Sequence, residues 1–108
     1  MRYINIGKGE IKASAIALGC MRIADKPIDE VAKLIDTALE EGINFFDHAD
    51  IYGGGKSEEV FAEAISKKAD IREKIIIQTK CGIRHGYYDF SKEHILKSVD
   101  GSLKKAQN

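Results

Sequence analysis

Three times along this chain a short apolar run gives way to a stretch in which apolar residues return every third or fourth position. The first run, Ala15-Ile16-Ala17-Leu18-Gly19, has the continuous character of a strand buried on both faces. Pro27 then opens a helix: its fixed φ suits the first turn, Asp29 and Glu30 sit at the positive end of the helix dipole, and Val31, Leu34, Ile35, Ala38 and Leu39 form one stripe before Gly42. A second strand is expected at Ile43-Asn44-Phe45-Phe46-Asp47-His48-Ala49. Ser57 is the expected cap of a helix whose buried face is Val60, Phe61, Ala64 and Ile65. The third strand, Ile75 to Lys80, is set off by the charged Arg72-Glu73-Lys74. A loop through Gly82 and Gly86 then leads to Ser91, the expected cap of a helix carrying Ile95, Leu96, Val99 and Leu103. Ahead of all this, Tyr3, Ile4 and Ile6 before Gly7-Lys8-Gly9, with Ile11 after, predict a hairpin over residues 1–12 that acts as a small lid or plug.

The pattern is therefore a hairpin followed by three strand–helix units, at about residues 15–42, 43–68 and 74–107. Short connections between alternating strands and helices imply parallel strands joined by crossovers. In such sheets chemistry gathers at the carboxyl ends of the strands. Those ends carry Gly19-Cys20-Met21, the stretch from Asp47 to Tyr52, and Lys80-Cys81.

The 108 residues make one domain at most. Lysine plus arginine equals aspartate plus glutamate at 17 each, and the basic residues are scattered, which argues against a nucleic-acid or anionic-membrane partner. No apolar run approaches the roughly 20 residues that span a bilayer, and the N-terminus has no signal-like apolar core. A cytoplasmic protein with a small-molecule or protein partner is expected. The two cysteines, Cys20 and Cys81, lack metal or redox spacing and are expected as reduced, apolar fillers, with no metal site.

The segment DHADIYGGGKSEE raises one false lead. A phosphate loop needs a glycine five positions before its Gly-Lys-Ser, and that position is Asp50, whose carboxylate would repel phosphate. A different grouping makes better chemical sense. By strand alternation Asp47 shares a face with Phe45, and Lys80 shares one with Gln78 and Ile76; His48 faces away from Asp47. If the two faces coincide, an acid and a base end neighbouring strands, and Tyr52 can lean over them from its loop. A phenol beside an ammonium held by a carboxylate has its phenolate favoured, from an ordinary pKa of about 10 toward the range of a working acid. The plainer alternative is a surface ion pair beside a half-buried ring.

INFFDHADIYGGGKSEEVFAEAI followed by REKIIIQTKCGI resembles the signature of the aldo-keto reductases, and the resemblance runs from RYINIGKGEIKASAIALGCM to SLKKAQN. It implies a (β/α)8 barrel, closed at its bottom by an N-terminal hairpin, that reduces aldehydes and ketones with NADPH and without a Rossmann domain. On that pattern Tyr52 is the proton donor, Lys80 lowers its pKa, and Asp47 holds Lys80 and touches the nicotinamide ribose. Gly19, Cys20 and Met21 match the loop beside the cofactor. The glycines after Tyr52 shape the loop that carries it into the next helix.

The resemblance also implies that residues 1–108 are the N-terminal portion of a partial barrel ending before the fourth strand. The family's catalytic histidine and its phosphate-holding loops would then fall outside this chain, and His48, His85 and His94 cannot take the histidine's place. Two functions follow as expectations. One is an NADPH-dependent carbonyl reductase that is inactive as this chain alone. The other is a non-catalytic truncated barrel that serves as an oligomeric or interaction module, a homo-oligomer covering its open sheet edge.

Overall fold

A computed structural model of the chain describes residues 1–68 and 70–106. The N-terminal hairpin pairs β1 (Tyr3–Asn5) with β2 (Lys12–Ser14) in antiparallel register, Tyr3 opposite Ser14 and Asn5 opposite Lys12. Its second arm thus runs past the expected limit at residue 12. The reason is a polar anchor that an apolar pattern does not register. Ser14 N donates to Asn44 Oδ1 (2.8 Å), Asn44 N donates to Ser14 Oγ (3.1 Å), and Asn44 Nδ2 donates to Lys12 O (3.1 Å). Tyr3 adds a bond from its hydroxyl to Gly42 O (2.9 Å). Asn44 and Gly42 precede the central strand, so the hairpin sits at the amino ends of the sheet, away from the ends that carry Tyr52 and Lys80.

Because the hairpin uses the residues up to Ser14, the strand expected over 15–19 shrinks to β3 (Leu18–Gly19), and Ile16 is 59% exposed instead of buried. α1 (Ile28–Glu40) follows with Pro27 in the cap position just outside it, and buries Val31, Ile35 and Ala38. Its end is a Schellman closure: Gly42 N donates to Leu39 O and Ile43 N to Ala38 O (3.0 and 2.8 Å), with Gly42 at φ 87°.

β4 (Phe45–Asp47) and β5 (Ile76–Gln78) complete a parallel sheet in the order β3-β4-β5. α2 (Lys56–Ser66) crosses between them; its cap position is Gly55 and not the expected Ser57, which is buried inside the first turn with its hydroxyl unpartnered among the described residues. A single turn, α3 (Ile71–Lys74), turns the charged segment that the sequence pattern leaves as a boundary. The loop after β5 contains an unexpected second hairpin, β6 (Ile83–Arg84) with β7 (Tyr87–Tyr88). Last comes α4 (Lys92–Lys105), where Ser91 Oγ accepts from His94 N at 3.2 Å as the expected cap.

Register decides what each face of the sheet does. Leu18, Phe46 and Ile77 lie side by side, and so do Gly19, Asp47 and Gln78. Residues paired in this way point to the same side. The first row enters the core with Val31, Ile35, Phe61, Ala64 and Ile65, and the Phe46 and Phe61 rings sit 5.3 Å apart. The second row faces the open side. The whole is an α/β fold of a hairpin and three parallel strand–helix units, an unclosed segment of a barrel-like sheet.

Candidate active site

Past the ends of the strands the backbone ladder continues, and this places the loops. Cys20 N donates to Asp47 O (2.8 Å), His48 N to Gln78 O (2.7 Å) and Asp50 N to Lys80 O (2.9 Å). The third of these bonds ties the loop that carries Tyr52 to the residue whose side chain it must meet. Tyr52 N then donates to Ala49 O (3.1 Å), starting a tight turn over Tyr52–Gly55.

On the open face Asp47 Oδ1 accepts from Lys80 Nζ and from Gln78 Nε2, both at 2.7 Å. Lys80 Nζ in turn lies 5.2 Å from the centre of the Tyr52 ring. Burial pushes the Asp47 carboxyl up, but the bonds from Lys80 and Gln78, with the positive charge of Lys80, outweigh it and hold the group below the usual carboxylate range. Lys80 is the mirror case. Burial pulls its pKa down, while the bond to Asp47, the nearby Tyr52 side chain and the negative charge of Asp47 carry it above the ordinary lysine value. Asp47, Lys80 and Tyr52 therefore form one group. Gln78, which sequence reasoning gave only as a neighbour on the same face, is a second donor to Asp47.

The cofactor-loop candidates divide. Gly19 stands beside Asp47 in register, and a Cβ added to it would meet nothing within 4 Å, so the sheet face there is uncovered. Met21 is 50% exposed. Cys20 turns the other way: its side chain is in the core, Sγ 3.6 Å from Leu18 O, and burial, with the Asp47 charge, pushes the thiol up to about 12. Cys81 is a free, half-buried thiol at the edge of the cleft.

Behind the sheet lies a polar cluster that the sequence did not reveal. Glu58, buried in the first turn of α2, accepts from Thr79 Oγ1 (2.8 Å) and Ser102 Oγ (3.2 Å) and has Lys105 Nζ at 3.7 Å. It thereby joins the helix that follows the Tyr52 loop to the residue next to Lys80. A buried acid after a glycine turn, with a threonine beside the strand-end lysine, is a signal only once the elements are known to pack. His48 also points here, 1% exposed, its ring edge-on to Phe61 with centres 4.5 Å apart. His85 and His94 line a separate groove with Arg84 and Tyr87. Among the described residues, no group of three or more His, Cys, Asp or Glu is placed to hold a metal ion.

Around Tyr52 and Lys80 opens a cleft of ≈ 320 Å³, lined also by Ile51, Ile83, Tyr88 and Phe90. A strand-end carboxylate, ammonium and phenol beside such a cleft can move a proton to or from a bound oxygen. The comparisons with known proteins agree with that class. Residues 15–108 match the model of the Aldo/keto reductase family, and the chain belongs to that family. It is 38% identical over 111 residues to the 6-dehydroglucose reductase of Novosphingobium aromaticivorans, covering 94% of this chain and 36% of that protein. It is also 43% identical over 84 residues to the uncharacterized oxidoreductase YcsN of Bacillus subtilis, covering 68% of this chain and 28% of that one. Among solved structures, the aldo-keto reductase AKR11C1 from Bacillus halodurans in its holo form superposes with a TM-score of 0.83 at 30% identity, over 100% of this chain and 37% of its own. Glycerol dehydrogenase AKR11B4 from Gluconobacter oxydans gives 0.82 at 30% identity, over 97% and 36%. The chain thus spans about a third of the length of the curated relatives it matches.

Proposed function

We propose that this chain supplies the acid–base part of an NAD(P)H-dependent reductase site for aldehydes and ketones. The observation that carries the reading is the Lys80 ammonium, set 2.7 Å from the Asp47 carboxylate and 5.2 Å from the centre of the Tyr52 ring. Tyr52 gives its proton to the carbonyl oxygen, and Lys80 presents a positive charge to the phenolate left behind. Asp47 anchors Lys80 through Oδ1, which leaves Oδ2 for a ribose hydroxyl. The face beside it fits a flat ring, because Gly19 has no side chain and the space above it is open. A bound nicotinamide supplies the hydride.

The resemblance puts the family's histidine and phosphate-holding loops in segments outside these 108 residues. The chain alone is therefore expected to turn over 4-nitrobenzaldehyde with NADPH no faster than its Tyr52→Phe variant. Binding is the better test. NADPH fluorescence should change saturably on adding the chain, and Asp47→Asn should weaken the response severalfold. A response that Asp47→Asn leaves unchanged would overturn the reading.

A second reading, a non-catalytic oligomer in a reducing cytoplasm, is favoured by two observations. Among the described residues no strand pairs with the outer edge of β5, and α4 leaves Leu96, Val99 and Leu103 about half exposed.

A further inference from the structure

One wall of the cleft beside Lys80 is not explained by the acid–base group. β6 and β7 pair Ile83 with Tyr88 and Arg84 with Tyr87. The segment is braced at its exit: Arg84 Nη1 donates to Asp89 Oδ2 (3.1 Å), Asp89 N donates to Gly82 O (2.8 Å), and Asp89 Oδ1 accepts from Ser91 N (2.9 Å) at the cap of α4. On this frame the Tyr88 and Phe90 rings stack at 16° with centres 6.4 Å apart, and they are 72% and 71% exposed. Gly82 makes the arrangement possible. A Cβ there would fall 2.5 Å from Phe90 Cε1, so only glycine lets the ring lie against the chain. Both rings line the same ≈ 320 Å³ cleft as Tyr52 and Lys80.

Two large near-parallel rings lining a cleft, with their backbone already braced, offer apolar surface at little ordering cost. The cleft is of a size that takes a small ligand, and its polar groups gather at the Tyr52 and Lys80 end. We propose that Tyr88 and Phe90 determine the specificity of the site, forming a platform for the flat apolar group of an aryl aldehyde or ketone whose oxygen meets Tyr52. The proposal rests on the reductase reading and names its substrate class. A small open-chain polyol such as glycerol, with a hydroxyl on every carbon, has no flat apolar face to lay on the platform.

The chain has four tyrosines, Tyr3, Tyr52, Tyr87 and Tyr88, so isotope labelling of tyrosine rings gives few NMR signals, assignable by single Tyr→Phe variants. The probes are benzyl alcohol, the product of the simplest aryl aldehyde, and glycerol. Benzyl alcohol is expected to shift Tyr88 and Tyr52 together and leave Tyr3 still, while glycerol at the same concentration shifts none of them. Phe90→Ala is expected to weaken the benzyl alcohol affinity by about two- to tenfold. Phe90→Leu, which keeps apolar bulk without a ring face, should fall between. A shift of Tyr88 without Tyr52, an affinity untouched by both Phe90 variants, or an equal response to glycerol would overturn the proposal. The NADPH titration separates it from the reading beneath it. NADPH binding with Tyr88 silent to benzyl alcohol sinks the platform alone, whereas NADPH binding that Asp47→Asn leaves unchanged sinks the reductase reading.

Discussion

His48 and Asp47 are adjacent in sequence and live in opposite electrostatic worlds. Asp47 faces the open side among donors. His48 is sealed behind the sheet, and among the described residues neither ring nitrogen has a hydrogen-bond partner. Burial drives its pKa down to about 4, against the raising effect of the Glu58 and Asp47 charges. An unfolded histidine titrates near about 6.5. Between those two values the unfolded chain takes up a proton that the folded chain refuses, so stability falls as the pH drops through that window and the loss levels off near pH 4. The full effect is on the order of 3 kcal/mol at about 1.4 kcal/mol per pKa unit. His48→Phe, which keeps the ring against Phe61 and removes both unpartnered nitrogens, should match or exceed wild-type stability at neutral pH and lack this part of the acid loss. Urea unfolding of both proteins at several pH values checks it; parallel curves would show that His48 does not titrate as described.

At the scale of elements, the turn after β4 shows why a glycine run need not bind phosphate. Gly53, Gly54 and Gly55 all have positive φ, at 61°, 66° and 95°, and swing the chain from the Tyr52 loop into α2. An L-residue in that conformation costs about 1–2 kcal/mol. Gly54 has nothing within 4 Å of an added Cβ, so Gly54→Ala should lose only this amount. Gly53→Ala should lose distinctly more, because its Cβ would lie 2.4 Å from Ala24 Cβ. Equal losses in urea-unfolding midpoints would contradict the contact. α1 and α2 were legible because three-residue and four-residue spacing is a property of one segment. The β6–β7 hairpin was not, since its two short arms carry no long alternation and its bracing by Asp89 is made across the loop.

Over the whole molecule, the sheet has two outer edges with no strand beside them among the described residues. Unpaired strand edges invite another chain. The apolar stripe of α4, with Ile95 37% and Leu96 55% exposed, adds a surface that water disfavours. The chain of residues 1–108 is therefore expected to run larger than a monomer in size-exclusion chromatography with light scattering at micromolar concentration, and Leu96→Glu should shift it toward the monomer. A compact wild-type monomer with cooperative unfolding would show that the edges are closed in another way.

The order of the three strand–helix units, the alternation that turns His48 away from Asp47, and the presence of an acid, a phenol and an ammonium at strand ends were properties of the sequence alone, because each depends on spacing within one segment. Register, by contrast, is a relation between segments. Only the folded sheet sets Gly19, Asp47 and Gln78 in one row, brings Lys80 Nζ to 2.7 Å from Asp47, and turns the Cys20 side chain into the core. The same holds for Glu58, whose partners Thr79 and Ser102 come from two other elements, and for Phe90, whose place depends on the missing side chain of Gly82. Contacts between residues far apart in the chain carry no local pattern, so only packing could decide them.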